Sequence, residues 1–506
     1  MKHISFENTL LFVFYVFFST LMAYILILSL LRPQNYLIPR QMIPVTILVS
    51  VLLFVLAFLW KKLSSKIQNS KHPKTLAIIY PILLFLFFSV LYTIGMLHGD
   101  HHPTGDYEIL YVSASEMAKR KPLTYYHYFL VYGNNTQPMI LLSVLIRISN
   151  LLPIGTFPFL LLLSTSLVTG SIHSVNILLG DSNKQWRIPV LLFAFLCLPI
   201  YIFTSAFYTD TMSFGIGIIV LALLKTALQK TEFNFKSVIY CILAAIFTFF
   251  GIAWKITSII PLIAATIVFL IQKKGKLPQN GLKKIIIFVT SFLALYLAAH
   301  FYFSAFSIYR DSKEYSNPNL AWVALGMRND GSYAQNVAFS DDLNALTTKE
   351  EKNAFIKTYM KEHLSEAFTI RHFIDKTQHN FSGGKFTSSD FTAVGEHERI
   401  LYEMMDPGGK YYWKTSQITF CYIALIYLFY LLGGIYGIIF SIKNKKISAM
   451  KIMTDISFVG IFLFLMIWES NNRQLYNQVP LFWLALFINL VLFMNFPFFS
   501  KKKDSL

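Results

Sequence analysis

A chain of 506 residues is long enough for three or four soluble domains, but 55% of its side chains are hydrophobic and only 14% are charged, with a mean hydropathy of +0.53. Soluble domains carry roughly 25% charged residues, so the composition excludes a water-soluble assembly. The formal charge of +18 would suit a nucleic-acid binder. Its cations cluster in short loops between apolar runs, however, as the positive-inside rule expects of a membrane protein, so the expected partner is the bilayer and not nucleic acid.

Apolar runs of membrane-crossing length, roughly 20 residues, fall near 9–31, 42–60, 76–96, 156–179, 188–207, 210–228, 237–253, 255–272, 285–304, 417–441, 452–468 and 479–498. The first is too long for a signal-peptide core. A thirteenth run, Pro138–Leu152, is shorter and carries Arg147. The loops Lys61–Lys74, Lys273–Lys284 and Lys443–Lys451 hold five, five and four lysines without an acid, and Lys501, Lys502 and Lys503 follow the last run. All four basic segments share one side only if Pro138–Leu152 does not cross. That run is therefore expected along the outer interface as an amphipathic helix. About twelve spans result, in the cell membrane, with both termini cytoplasmic.

Two outer segments stand apart. The loop 97–152 follows the third span. Residues 305–415 carry 13 basic and 15 acidic side chains, a balance expected of a small, mostly helical exterior domain. It would divide a transmembrane module, 1–304, from C-terminal helices, 416–506. Thr347–Ile374 reads as helix, with Thr347 and Glu350 spaced as a capping box. The three cysteines, Cys197, Cys241 and Cys421, all lie in apolar runs, so no disulfide scaffold is expected.

Polar clusters recur where the spans reach the outer side. Residues 98–108 hold Asp100, Asp106, Glu108 and the histidines His98, His101 and His102. A carboxylate there suits general-base work on a hydroxyl. His101 and His102 with these carboxylates also form a candidate site for a divalent cation, Mg or Mn. Tyr208-Thr209-Asp210 opens a later span, where Asp210 reads either as a helix cap or as a functional acid. Lys255 lies between two apolar runs, free to snorkel or to hold a phosphate. Glu469 and Arg473 precede the last span, and arginine suits bidentate phosphate contact.

Taken in order, these elements resemble the GT-C superfamily of polyprenyl-phosphate-sugar-dependent glycosyltransferases. Relatives there include the protein O-mannosyltransferases and the aminoarabinose transferases, and a bacterial mannosyltransferase-like branch is most similar. The resemblance rests on Asp106 through Ala118, Tyr125-Tyr126-His127-Tyr128 and Tyr132-Gly133-Asn134-Asn135, followed by Tyr208-Thr209-Asp210, Lys255-Ile256-Thr257 and Glu469 to Arg473. Outer-domain elements Pro318–Tyr333, Asp375-Lys376 and Gly383–Thr387 join it. Gly133, Ile256 and Gln474 depart from the pattern, standing where Pro, Pro and Tyr are usual.

The resemblance implies an all-α GT-C-like fold with interfacial helices in the first outer loop. It implies inverting transfer from a polyprenyl-phosphate sugar to a hydroxyl on an envelope glycan, lipid or protein. Asp106 would be the base, Lys255 and Arg473 would bind the donor phosphate, and Asp210, Glu108 and Asp100 would be supporting acids. Tyr208, Asn134, Asn135 and Glu469 would position the acceptor or the loop. Rival readings are a lipid-linked sugar flippase or other transporter, a polysaccharide polymerase or ligase, and a non-catalytic binding protein. A transporter would carry its polar residues nearer the midplane.

Overall fold

A computed structural model describes residues 6–33, 39–68, 75–98, 105–230, 232–272, 279–387 and 400–495. Every regular element among the described residues is helical. Ten helices are long and apolar enough to cross a membrane. The chain opens with α1 (Phe6–Leu31), α2 (Pro39–Gln68) and α3 (Thr75–His98). The long loop after α3 then folds into α4 (Gly105–Ala118), α5 (Tyr126–Val131) and α6 (Thr136–Ser149). The expected non-crossing helix is thus the 14-residue α6, too short to span the hydrocarbon, and it packs against α4.

The helices α7 (Thr156–Leu179), α12 (Phe235–Trp254) and α14 (Gly281–Ser304) are continuous, but three expected spans are not single long helices. The run 188–207 divides into α8 (Arg187–Phe195) and α9 (Pro199–Phe203). Pro199 cannot donate the amide that would continue α8, and it stands instead at the start of α9, where a missing amide costs nothing. The next expected span begins as a single turn, α10 (Thr209–Met212), and resumes as α11 (Ile216–Gln229). Gly215 separates them at φ +63°, and a Cβ there would lie 2.1 Å from Ser171 Oγ, so both conformation and space require glycine. Residues 255–272 form a 3-10 turn, Ile256–Ile259, and the 13-residue α13 (Ile260–Gln272).

The segment after α14 forms α15 (Ser307–Tyr315), α16 (Leu320–Leu325), α17 (Val337–Asn344), α18 (Lys349–Ala367), α19 (Ile370–Phe381) and α20 (Ile400–Met405). A small core of Ala321, Ala324, Leu325, Phe339, Leu343 and Ile356 unites α16, α17 and α18. The capping box lies one residue beyond the expected pair. Thr348 accepts from the Glu351 amide at 3.2 Å, and Glu351 accepts from the Thr348 amide at 3.1 Å. The sequence Thr-Thr-Lys-Glu-Glu satisfies the spacing in both registers, and the helix start selects the second. The expected helix to Ile374 breaks after Ala367, and Thr369 caps α19 through the His372 amide.

The chain ends with α21 (Tyr412–Ile442), α22 (Ala449–Ile467) and α23 (Val479–Met494). Along α21 a glycine stripe lets α1 approach closely. A Cβ on Gly434 would lie 2.5 Å from Ser19 Oγ, and one on Gly437 would lie 2.4 Å from the Tyr15 ring. Small residues serve this purpose where lipid removes the hydrophobic drive for helix association. Large apolar side chains such as Ile47, Leu48, Phe85 and Phe301 point outward, a surface suited to acyl chains.

Contacts between helix ends group the chain into two poles. Trp60 donates to Gln185 O, Lys61 to Asn495 Oδ1, Lys225 to Leu178 O, Lys284 to Ala227 O and Asn8 to Asn444. These belong to the lysine-rich pole. Asp106, Asp210, Lys255 and Arg473 meet at the other. One ion pair, Lys451–Asp455 at 2.7 Å, is completely buried in the first turns of α22, in a span that reads from the sequence as apolar.

Candidate functional site

Three interrupted helix starts build the centre. The turn Thr209–Met212 carries Asp210, the 3-10 turn after α12 follows Lys255, and a 3-10 turn at Asn472–Gln478 carries Arg473. Side chains at the base stitch them together. Asn477 Nδ2 donates to Thr257 Oγ1 at 3.1 Å, Gln478 Nε2 donates to Thr257 O at 2.9 Å, and the Gly215 amide donates to Asn477 O at 3.0 Å. Asn477 and Gln478 were not among the expected residues. Their signal is a polar pair immediately before an apolar span.

Asp210 is buried between the two cations. Its Oδ1 pairs with Lys255 Nζ, and its Oδ2 lies 3.2 Å from Arg473 Nε. The Asp210 side chain does not cap its helix, whose N-cap residue is Tyr208. Its surroundings instead make it the anchor of two cations. Arg473 also turns Nη2 toward Asp106 Oδ2 at 3.9 Å and lies over the Tyr208 ring, 5.0 Å from its centroid.

Asp106 stands in the first turn of α4. Tyr128 OH donates to Oδ1 at 2.9 Å and Tyr208 OH to Oδ2 at 3.4 Å, while Asn135 Nδ2 donates to Tyr128 OH at 2.7 Å. Side-chain exposure separates the two aspartates, at 45% for Asp106 and 1% for Asp210. Only the first can meet an incoming hydroxyl. Glu108 faces away from the centre and accepts from Tyr125 OH at 3.1 Å. Asn134 is exposed beside Asn135. Asp100, His101 and His102 lie outside the described residues, and no cluster of three metal-ligating side chains occurs among the described ones.

The segment after α14 braces this loop. Tyr126 OH donates to Asp311, Asn317 donates its amide to Val131 O at 3.0 Å, and a Cβ on Gly133 would lie 2.6 Å from Ser316 Oγ. Glu469 is partly buried on the last hairpin. Desolvation pushes its carboxyl up to about 7, against the cations Arg473 and Lys255 and with Asp106 adding to the rise. On its far side, Lys376 is almost wholly buried, donates to Gly326 O at 2.5 Å and is pulled down to about 7 by desolvation.

Below the centre, between α7, α11 and α12, lies an apolar cavity of about 530 Å³. Met212 and Trp254 line it next to Asp210 and Lys255, and Ile177 and Thr226 line it toward the lysine-rich pole.

The architecture defines a polytopic helical integral membrane protein with an ionic centre at one pole. Residues 3–491 match the family model described as conserved hypothetical integral membrane protein, and the chain belongs to that family. Neither the curated proteins nor the solved structures give a significant match.

Proposed function

We propose that this protein is an inverting GT-C-type glycosyltransferase that moves a sugar from a polyprenyl-phosphate donor to a hydroxyl acceptor on the outer face of the cell membrane. The observation that carries the reading is the convergence of one accessible carboxylate, Asp106, with two cations, Lys255 and Arg473, on Asp210, where Trp254, next to Lys255, and Met212, two residues after Asp210, line an apolar cavity. A lipid phosphate needs cations at membrane depth and an apolar slot for its tail, and the acceptor needs a base that water can reach. The broken passage α8–α9 and the short α13 complete twelve crossings in this reading, with both termini on the cytoplasmic, lysine-rich side.

In the reaction the acceptor O–H gives its proton to the Asp106 carboxylate as the oxygen attacks the anomeric carbon. The anomeric C–O bond to phosphate breaks, and its electron pair leaves with the lipid phosphate. Charge growing on that phosphate is stabilised by Lys255 and Arg473, already oriented by Asp210, so little reorganisation is needed as the bond breaks. Tyr128 and Tyr208 hold the Asp106 carboxylate in place.

Purified protein in lipid vesicles, given labelled polyprenyl-phosphate sugars, tests this. Transfer or slow donor hydrolysis is expected. Transbilayer movement of intact donor without bond cleavage would make it a flippase instead.

A further inference from the structure

A row of aromatic rings runs from Asp106 onto the exterior segment. The Tyr128 and Tyr132 centroids are 4.8 Å apart, and Tyr132 stacks on Trp322 at 6.0 Å with an interplanar angle of 27°. The Tyr132 hydroxyl interacts with Tyr333 and Asn344. Tyr128, Tyr132 and Trp322 are partly exposed, and Tyr333 and Asn134 are exposed. The row joins two parts of the chain nearly 200 residues apart and is fixed by the Asn317–Val131 bond and the seating of Gly133 against Ser316. It is a rigid surface that begins at the proposed base.

We propose that Tyr128, Tyr132 and Trp322 form a shelf for the sugar rings of a glycan acceptor, whose hydroxyl is thereby delivered to Asp106. This deepens the transfer reading and rests on it for the role of Asp106. A pyranose presents a face of C–H groups that lies well on an aromatic plane, while its equatorial hydroxyls need polar groups at the rim. Tyrosine and tryptophan give that contact with little loss of side-chain freedom. The hydroxyl of Tyr333 and the amides of Asn134 and Asn344 supply the rim. The rings of the protein core, such as Tyr427, Tyr430 and Tyr476, are by contrast fully buried.

The test measures binding, not turnover, with full-length protein in nanodiscs and no donor present. The probes are pentasaccharides of glucose, mannose, galactose and N-acetylglucosamine, read by saturation-transfer NMR. Saturable binding of at least one is expected. It should weaken about tenfold in Trp322→Ala and Tyr132→Ala and persist in Trp322→Phe and Tyr132→Phe, since a stacking contact is worth about that factor. Binding of none of the four would overturn the shelf and leave the rings as anchors in the lipid headgroups. Binding that Trp322→Ala leaves unchanged would overturn it as well. Donor hydrolysis, measured separately without acceptor, reports on the transfer reading alone, so the two can fail independently.

Discussion

The Nε of Arg473 lies 3.2 Å from Oδ2 of Asp210, and this pair sets the direction of everything above it. With Nε held by a buried carboxylate, the other end of the guanidinium fork faces the half-exposed Asp106. Lys255 is fixed by the same carboxylate. A single acid therefore orients both proposed phosphate ligands.

Lys255 and Arg473 should act as a unit. Each contact from a charged donor is worth roughly 1.5–3 kcal/mol, and Arg473→Ala should lose more transfer than Arg473→Lys, which keeps the charge but not the fork. In a double-mutant cycle, Lys255→Ala and Arg473→Ala should be clearly non-additive. Strict additivity, with donor KM unmoved in both single variants, would remove the shared phosphate.

Asp106→Asn keeps the shape of the carboxylate and removes its basicity. Transfer should fall by on the order of 10² or more, with normal yield of folded protein because the side chain is nearly half exposed. Near-normal transfer by Asp106→Asn together with loss in Glu108→Gln would move the base to Glu108.

The apolar cavity can be closed at Gly170, which lines it. A Cβ there would meet only Ile219 Cδ1, at 3.9 Å, so Gly170→Ala should be tolerated. Gly170→Phe fills the cavity and should raise donor KM severalfold while leaving kcat at saturating donor close to normal. An unchanged KM in a folded Gly170→Phe protein would mean that the tail lies elsewhere.

Glu469 gives a pH test of stability. Its carboxyl is raised from an ordinary 4.5 to about 7, so between those values the folded state holds a proton that the unfolded state releases. Its contribution is complete below about 4.5 and is lost as pH rises through 7. Relative to the wild type, Glu469→Gln should therefore gain thermal stability from pH 5 to pH 8. A difference between the two melting curves that is flat or falls with pH would contradict the placement of Glu469 among Asp106, Arg473, Lys255, Lys376 and His379.

The buried pair inside α22 should behave asymmetrically. Removing one partner leaves an uncompensated charge, and Asp455→Ala or Lys451→Ala should destabilise by about 3–5 kcal/mol. The paired change Lys451→Met with Asp455→Leu should recover most of that loss. Unfolding of the detergent-solubilised variants measures it, and a double variant no better than either single one would show the pair to be more than a matched charge.

The helical class, the two long segments between spans and the identity of Asp106, Asp210, Lys255 and Arg473 as polar interruptions were all legible in the sequence. Apolar runs and charge breaks are local signals, and the bilayer admits few solutions to them. Less legible were the places where runs of the right length do not form one helix. Pro199 and Gly215 are visible, but whether a proline kinks, divides or merely opens a helix depends on what packs against it. The pair Lys451–Asp455 was missed for a similar reason, because two charges do little to the mean hydropathy of a long run.

What the sequence determined by itself is that most of this chain must leave water, because its composition cannot cover a soluble surface, and that most of its charged residues lie outside the long apolar runs. Which acid serves which cation was decided only by the tertiary structure. Asp106 and Asp210 each begin a helix and look equivalent in one dimension. Packing of the three broken helix starts encloses Asp210 between Lys255 and Arg473 and leaves Asp106 open to water. The difference between the anchor and the proposed base is burial, and burial is a property of the assembled helices rather than of any segment.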